Sequence, residues 1–254
     1  MRRKRKYKKK KNNIFKRFFG IILSVLMFFI IAFSALYHFS PNFKIKGFEV
    51  IGGTTISQEE FKKEAQDLFT SSFNILGQEI IIDNIFLSFK NKTEELTNKF
   101  PEIENISIKK DFSKSIIYLE IKEKDPAVIW CNNQKCSLLD KKASFIRDYN
   151  NREVLPMIEE KEEGDFKRIE IIKAVFKLEE TIKQNNLKAE KYLLYSEKFI
   201  INNINGCDIL FDLNNDFDWQ LEKMETVLKQ EKYINNLNNF EYIDLRFTNQ
   251  VIVK

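Results

Sequence analysis

Residues 18–37 read FFGIILSVLMFFIIAFSALY, an uncharged run of roughly 20 residues that can cross about 30 Å of hydrocarbon as a helix. Apart from Tyr37, its only hydroxyls are Ser24 and Ser34, and both can bond back to the helix. A buried core helix of a soluble protein is the other reading, and the flanks argue against it. Residues 1–17 hold eleven Lys or Arg and no acid. Positive charge stays on the cytoplasmic side, so the pattern predicts an N-terminus inside and a C-terminal region outside. A cleaved signal peptide wants a shorter apolar core and a small-x-small site, for which Ser34-Ala35-Leu36 is a poor substitute. The expectation is therefore a basic cytoplasmic tail over 1–17 and an uncleaved signal anchor over 18–39. A basic run can also serve nucleic acid; beside a membrane helix it sets topology and attracts anionic lipid.

The anchor changes the meaning of the charge balance. The chain carries 42 basic and 37 acidic residues, net +5. Removing the eleven basic residues of the tail leaves 31 against 37, net −6. A mildly acidic exterior argues against a nucleic-acid platform. The length after the anchor allows one large or two small domains.

The order of elements after the membrane is readable. Residues 43–51, FKIKGFEVI, are β-rich and end in the turn Gly52-Gly53. Ser57-Gln58-Glu59-Glu60 is a capping box, with Ser57 accepting from the Glu60 amide and a helix to about Phe69. Residues 70–78 read as a polar loop. A second helix starts near 84 or 90 and stops at Phe100-Pro101. Two strands follow, joined by a turn over 111–114. Ile106 and Ile108 share one face of the first; Ile117, Leu119 and Ile121 share one face of the second. The expected order is β-α-α-β-β.

That order behind a signal anchor resembles a POTRA domain (polypeptide-transport-associated), and several strings are similar to the FtsQ/DivIB bacterial cell-division family. The family's V-x-G-N/G turn corresponds to Val50-Ile51-Gly52-Gly53. Its P-x-I/V strand corresponds to Pro101-Glu102-Ile103 through Ile108, and its E-R/K-x-P-V/A-A junction to Glu123-Lys124-Asp125-Pro126-Ala127. Its terminal I/V-D-L-R-Y/F strand corresponds to Ile243-Asp244-Leu245-Arg246-Phe247. Gln250 stands where a Gly is common, and 77–91 is longer than the pattern. The resemblance spans the chain and implies an α+β architecture: a POTRA-like domain over 40–125 and a β-rich, mostly antiparallel domain over 126–254.

Within the second region the reading places short strands at 127–131 and 136–140 around a four-residue loop, and another at 144–147. An extended segment follows at 154–158, then a solvated acidic linker over 159–165. A helix over 166–183 buries Ile169, Ile172, Val175, Phe176 and Ile182. Strands follow near 188–194, 199–202 and 207–213. A last amphipathic helix over 216–232 carries Phe217, Leu221, Met224, Val227 and Leu228 on one stripe. Residues 240–253 read as strand, turn and strand.

No catalytic constellation emerges. The single histidine, His38, sits at the membrane boundary, which removes His-based acid–base chemistry. Gly52-Gly53 lacks the rest of a phosphate loop, and three cysteines at wide spacing make no zinc set. Asp212 with Asp216 and Glu159 with Glu160 are acid pairs that surface solvation explains. Cys131 and Cys136 flank a hairpin and can face each other across the ladder as a disulfide, or be two small buried hydrophobes. Cys207 reads as core.

The last strand is either interior or an edge whose free N–H and C=O groups accept a partner strand. The resemblance implies the second. It implies recruitment of FtsB/DivIC-like and FtsL-like coiled-coil proteins at Arg246, Phe247, Thr248, Val251, Ile252 and Val253, with a second docking surface around 43–51. The expectation is a divisome scaffold at the septum, without enzyme activity, cofactor, nucleic acid or small-molecule substrate. A POTRA-bearing secretion or envelope-assembly component and a membrane-anchored cell-wall enzyme are the rival readings.

Overall fold

A computed structural model of the chain describes residues 9–39, 44–75, 78–82, 84–86, 88–133, 135–150 and 152–254. The first part of the basic tail, the membrane exit at 40–43 and Gln134 of the hairpin loop lie outside the described residues.

Helix α1 (Lys9–Phe39) contains the apolar run, and its segment Lys16–Ser34 is long and apolar enough to cross a membrane. Between Lys16 and Ser34 its large side chains are outward-facing, with Phe18 67% and Phe33 72% exposed. A segment apolar all round and unburied over Lys16–Ser34 suits a lipid environment.

The chain divides into two compact units. One comprises Met1–Phe100 and Asn105–Lys122; the other comprises Pro101–Glu104 and Glu123–Lys254. In the first, β1 (Gly47–Ile51) pairs in parallel with β5 (Ile116–Glu123), which lies beside β4 (Ile103–Asp111). The turn after β1 depends on glycine. Gly52 has φ +83°, and a Cβ there would stand 2.6 Å from the Ile121 carbonyl oxygen. Gln58 Nε2 donates to the Gly52 and Gly53 carbonyls.

Helix α2 (Gln58–Phe69) starts as its capping box dictates, the Ser57 hydroxyl accepting from the Glu60 amide at 3.3 Å. It buries Phe61, Ala65 and Phe69, spaced by one turn. Phe69 packs between Phe48 of β1 and Phe89, ring centroids 5.6 and 4.8 Å away. Residues 71–82 differ from the expected loop. β2 (Ser71–Ile75) and β3 (Gln78–Ile82) pair from Ser71↔Ile82 to Ile75↔Gln78. Ser71, Ser72 and Asn74 gave the first strand a loop's polarity, but β3 satisfies its backbone. The order is therefore β-α-β-β-α-β-β, closed by α3 (Lys90–Lys99), β4 and β5.

The second unit is built on a mixed sheet. Its strands are β6 (Val128–Asn132), β7 (Lys135–Leu139), β8 (Phe145–Asp148), β9 (Met157–Glu160), β10 (Lys191–Leu194), β11 (Phe199–Ile204), β12 (Cys207–Phe211), β13 (Tyr242–Asp244) and β14 (Ile252–Val253). Among the described residues their order is β14-β13-β12-β11-β10-β9-β6-β7-β8. Five of its eight pairings are antiparallel; β6–β9, β9–β10 and β12–β13 are parallel. Two of the parallel pairs are the ones spanned by helices, as a crossover requires. α4 (Arg168–Gln184) links β9 to β10, and α5 (Phe217–Leu228) with the short α6 (Glu231–Ile234) links β12 to β13.

Both long helices pack on one sheet face, where Ile172, Val175 and Leu178 meet Tyr192, Phe199, Ile201 and Phe211. The opposite face carries a smaller cluster of Ile129, Cys131, Leu138 and Ile146. Strand alternation assigns neighbours such as Trp130 and Cys131 to the two faces.

Four expectations need correction here. The hairpin ladder extends to Asn132↔Lys135, so the loop is shorter than four residues. Ile169 is 47% exposed, because the buried stripe of α4 runs through Ile171, Ile172, Val175, Leu178 and Ile182. The last helix is not continuous over 216–232: α5 stops at Leu228, and Gln230 is extended with φ −90° and ψ 117°. Residues 159–160 are not a solvated linker. They end a central strand, where alternation sends Glu159 to Lys161 and Lys191 on one face and Glu160 to Trp130 on the other. The Glu160 side chain is only 7% exposed and accepts from Trp130 Nε1 at 2.6 Å and from the Asn132 amide.

Candidate docking edge

Among the described residues β14 forms one margin of the nine-stranded sheet, paired with β13. The Lys254 amide donates to the Tyr242 carbonyl at 3.1 Å, and Ile252 stands opposite Asp244. Alternation along an antiparallel strand then turns the Val253 N–H and C=O away from β13, toward the open side.

The segment before β14 is fixed by charge. Asp244 is 4% exposed, and its carboxylate accepts from the Arg246 amide at 3.1 Å, from Nε at 2.9 Å and from Nη2 at 2.7 Å. Burial opposes ionisation of Asp244, but the Arg246 hydrogen bonds outweigh it and hold the carboxyl below its ordinary range. Helix α5 holds the following carbonyls. Lys223 Nζ donates to the Leu245 carbonyl and, at 2.7 Å, to that of Phe247; Trp219 Nε1 donates to that of Thr248 at 3.1 Å. Burial pushes the Lys223 ammonium pKa down, with the Asp244 charge opposing it. Trp219 and Lys223 are four residues apart, so one face of α5 supplies both donors.

Helix α5 starts where it does because Asp216 caps it, accepting from the Trp219 amide at 3.1 Å. Buried Gln220 bridges back, accepting from the Asp212 amide and donating to the Asp212 and Asp216 carbonyls. The acids Asp212 and Asp216 thus serve local turns. Between α5 and β14 lies a cavity of about 370 Å³, lined by Trp219, Lys223, Val227, Tyr233, Val251 and Val253 among others.

The six residues named from the sequence separate into three roles. Arg246 is occupied by Asp244. Phe247 (42% exposed), Thr248 and Ile252 (36% exposed) face outward. Val251 and Val253 are half-buried against the core and line the cavity. Trp219, 47% exposed beside this edge, was missed, since in sequence it is one more apolar residue of an amphipathic helix. In the first unit, β1 is likewise an outer strand, with Ile51 48% exposed.

Cys131 and Cys136 are directly opposite in the β6–β7 ladder and joined by a disulfide, with Cα atoms 4.0 Å apart. Cys207 is buried in the main core; burial, with the neighbouring Asp208 charge, pushes its thiol up to about 12. Among the described residues no group of three or more His, Cys, Asp or Glu side chains is placed to hold a metal ion. The fold and this edge define the chain as an α+β protein of two compact units behind one N-terminal helix long and apolar enough to span a membrane. No known family model matches the chain, and no curated protein matches it.

Proposed function

We propose that this protein is a single-pass membrane scaffold of the bacterial divisome, similar to FtsQ/DivIB. Its N-terminus is cytoplasmic, its two units are extracytoplasmic, and it works at the division septum. It recruits FtsB/DivIC-like and FtsL-like coiled-coil proteins by adding a strand to β14, and thereby regulates septal cell-wall synthesis without making or breaking a covalent bond. The observation that carries this reading is the edge position of β14 at the margin of the sheet, beside a cavity with both apolar and polar walls. Strand addition supplies main-chain hydrogen bonds, and pockets for alternate side chains supply specificity. The basic tail and apolar helix support the orientation, and the disulfide suits an extracytoplasmic compartment.

The test is co-purification of the full chain, in detergent, with candidate coiled-coil divisome partners, comparing wild type with Val253→Pro. The outward Val253 N–H makes no bond to β13, so proline there removes a donor for a guest strand and leaves the internal ladder intact. Loss of the partner with an unchanged thermal midpoint supports the reading. Equal recovery by both forms rejects docking at β14.

A further inference from the structure

The Phe86 and Phe112 rings stack with centroids 5.1 Å apart, yet they remain 41% and 56% exposed. They come from distant segments, the turn after Asn84 and the β4–β5 hairpin. Both lie at the end of the three-stranded sheet where the chain arrives from α1. Lys44 bridges Asn84, and the Asn84 side chain accepts from the Phe86 amide at 2.9 Å. The Lys46 amide donates to the Ser115 carbonyl at 2.8 Å, and Gly47 pairs with Ile116. The entering chain therefore lies against both segments that carry the rings.

Covalent length sets how far that end can stand from the membrane helix. Lys44 is five residues beyond Phe39, the last residue of α1. Five residues span at most about 18 Å when fully extended. Lys44, Lys46 and Lys114 belong to the same end; Asp111 there accepts from the Ser113 and Lys114 amides and lies 4.0 Å from Lys114 Nζ, while Lys110 Nζ lies over the Phe89 ring. Exposed Phe side chains can bury at the boundary between headgroups and acyl chains, and lysines beside them are attracted to anionic lipid.

We infer that the Phe86–Phe112 pair is an interfacial anchor that seats this end of the first unit on an anionic phospholipid leaflet. The inference rests on α1 being a membrane anchor. Its test uses the full chain in proteoliposomes containing phosphatidylglycerol, spin-labelled at Ser113→Cys, which keeps both rings. The label goes to the new thiol, because Cys207 is buried and the other cysteines are bonded. Relaxation by lipid-soluble oxygen and by a water-soluble nickel chelate is compared with that of a label at exposed Glu180→Cys on α4. The expected result is a several-fold higher oxygen-to-nickel ratio at 113, falling to the Glu180 value when Phe86→Ser and Phe112→Ser are added. A ratio equal to that at Glu180, a ratio indifferent to the two rings, or exclusion of both reagents as in a protein contact overturns the inference. A label at Phe28→Cys separates the two failures. If it too meets the nickel chelate, the anchor reading falls with this one; if it sits in lipid while 113 is aqueous, this one falls alone.

Discussion

The two margins of the large sheet are built on opposite principles. β8 is guarded. Its ladder with β7 slips between Leu138↔Arg147 and Leu139↔Phe145, a bulge that breaks the regular edge. Lys124 Nζ donates to the Phe145 carbonyl at 3.1 Å, and the Arg147 guanidinium binds the Glu153 carboxylate beyond the strand. Bulges and charged cover are the usual protection of an exposed edge. β14 differs: its register with β13, Ile243↔Val253 and Asp244↔Ile252, carries no bulge, and it is two residues long. What α5 contributes is a clamp on the chain leading into it. The two margins are therefore unequal: one carries a bulge and charged cover, the other is short and steadied from behind by α5.

The largest effect that would break this comparison is at Arg246. If the clamp positions β14, Arg246→Met leaves the buried Asp244 carboxylate without its guanidinium and costs about 3 kcal/mol in urea unfolding. In the wild type the Asp244 pKa is held below its ordinary 3.8. The stability this contributes is complete above the unfolded value near 3.8 and is lost as pH falls through the folded value. In Arg246→Met the residue-246 amide and the Lys223 charge still favour the carboxylate, but the guanidinium's share is gone, so the folded pKa rises and the acid limb flattens. Urea midpoints at several pH values measure both, and an unchanged acid limb removes the clamp.

Next in size is the disulfide two strands in from the guarded margin. Replacing Cys131 and Cys136 by Ser should cost about 2 kcal/mol, the entropy of closing so short a loop. The loss should fall on the β6–β8 side, leaving amide exchange in β13 unchanged. Lys223→Met comes third. It removes both bonds to the Leu245 and Phe247 carbonyls while retaining the aliphatic stem, for about 1 kcal/mol. Here exchange should quicken at β13 and β14 and stay constant at β8. Equal acceleration at both margins would mean that α5 supports the whole sheet and not its edge.

How far the sequence spoke depends on the kind of signal. The anchor helix, the Ser57 cap and the alternation of Ile117, Leu119 and Ile121 were legible because each is set by neighbours in the chain. The β2–β3 hairpin was not, since polar Ser71, Ser72 and Asn74 are paired by a strand whose contribution no local window weighs. Nor was the burial of Glu160, which depends on Trp130 and Asn132 from a strand thirty residues earlier. At the candidate docking edge the terminal strand itself was readable, but Arg246 as a buttress, Lys223 as a clamp and Trp219 as an exposed wall are products of tertiary contact. Isoleucine-rich α4 misled by one position, because Ile169 is as apolar as Ile171 and Ile172 and only the start of the helix fixes which of them turns inward.

The smallest effect tests whether the guarded margin depends on one device or several. Lys124 is a surface side chain, and Lys124→Met should change stability by no more than about 0.5 kcal/mol. It nevertheless frees the Phe145 carbonyl, the acceptor that the lysine covers. If protection were that bond alone, the variant would offer β8 to a second copy and sediment as a dimer in a concentration-dependent way. The bulge argues otherwise. Ile146 is the extra residue between the two registers, so a guest strand would lose step with β8 within one residue, whatever covers Phe145. The expected result is a monomer in detergent at every concentration where the wild type is one. A dimer would move the protection of that edge from backbone geometry to a single charge, and would weaken the reason for treating β14 as the edge left open for a partner.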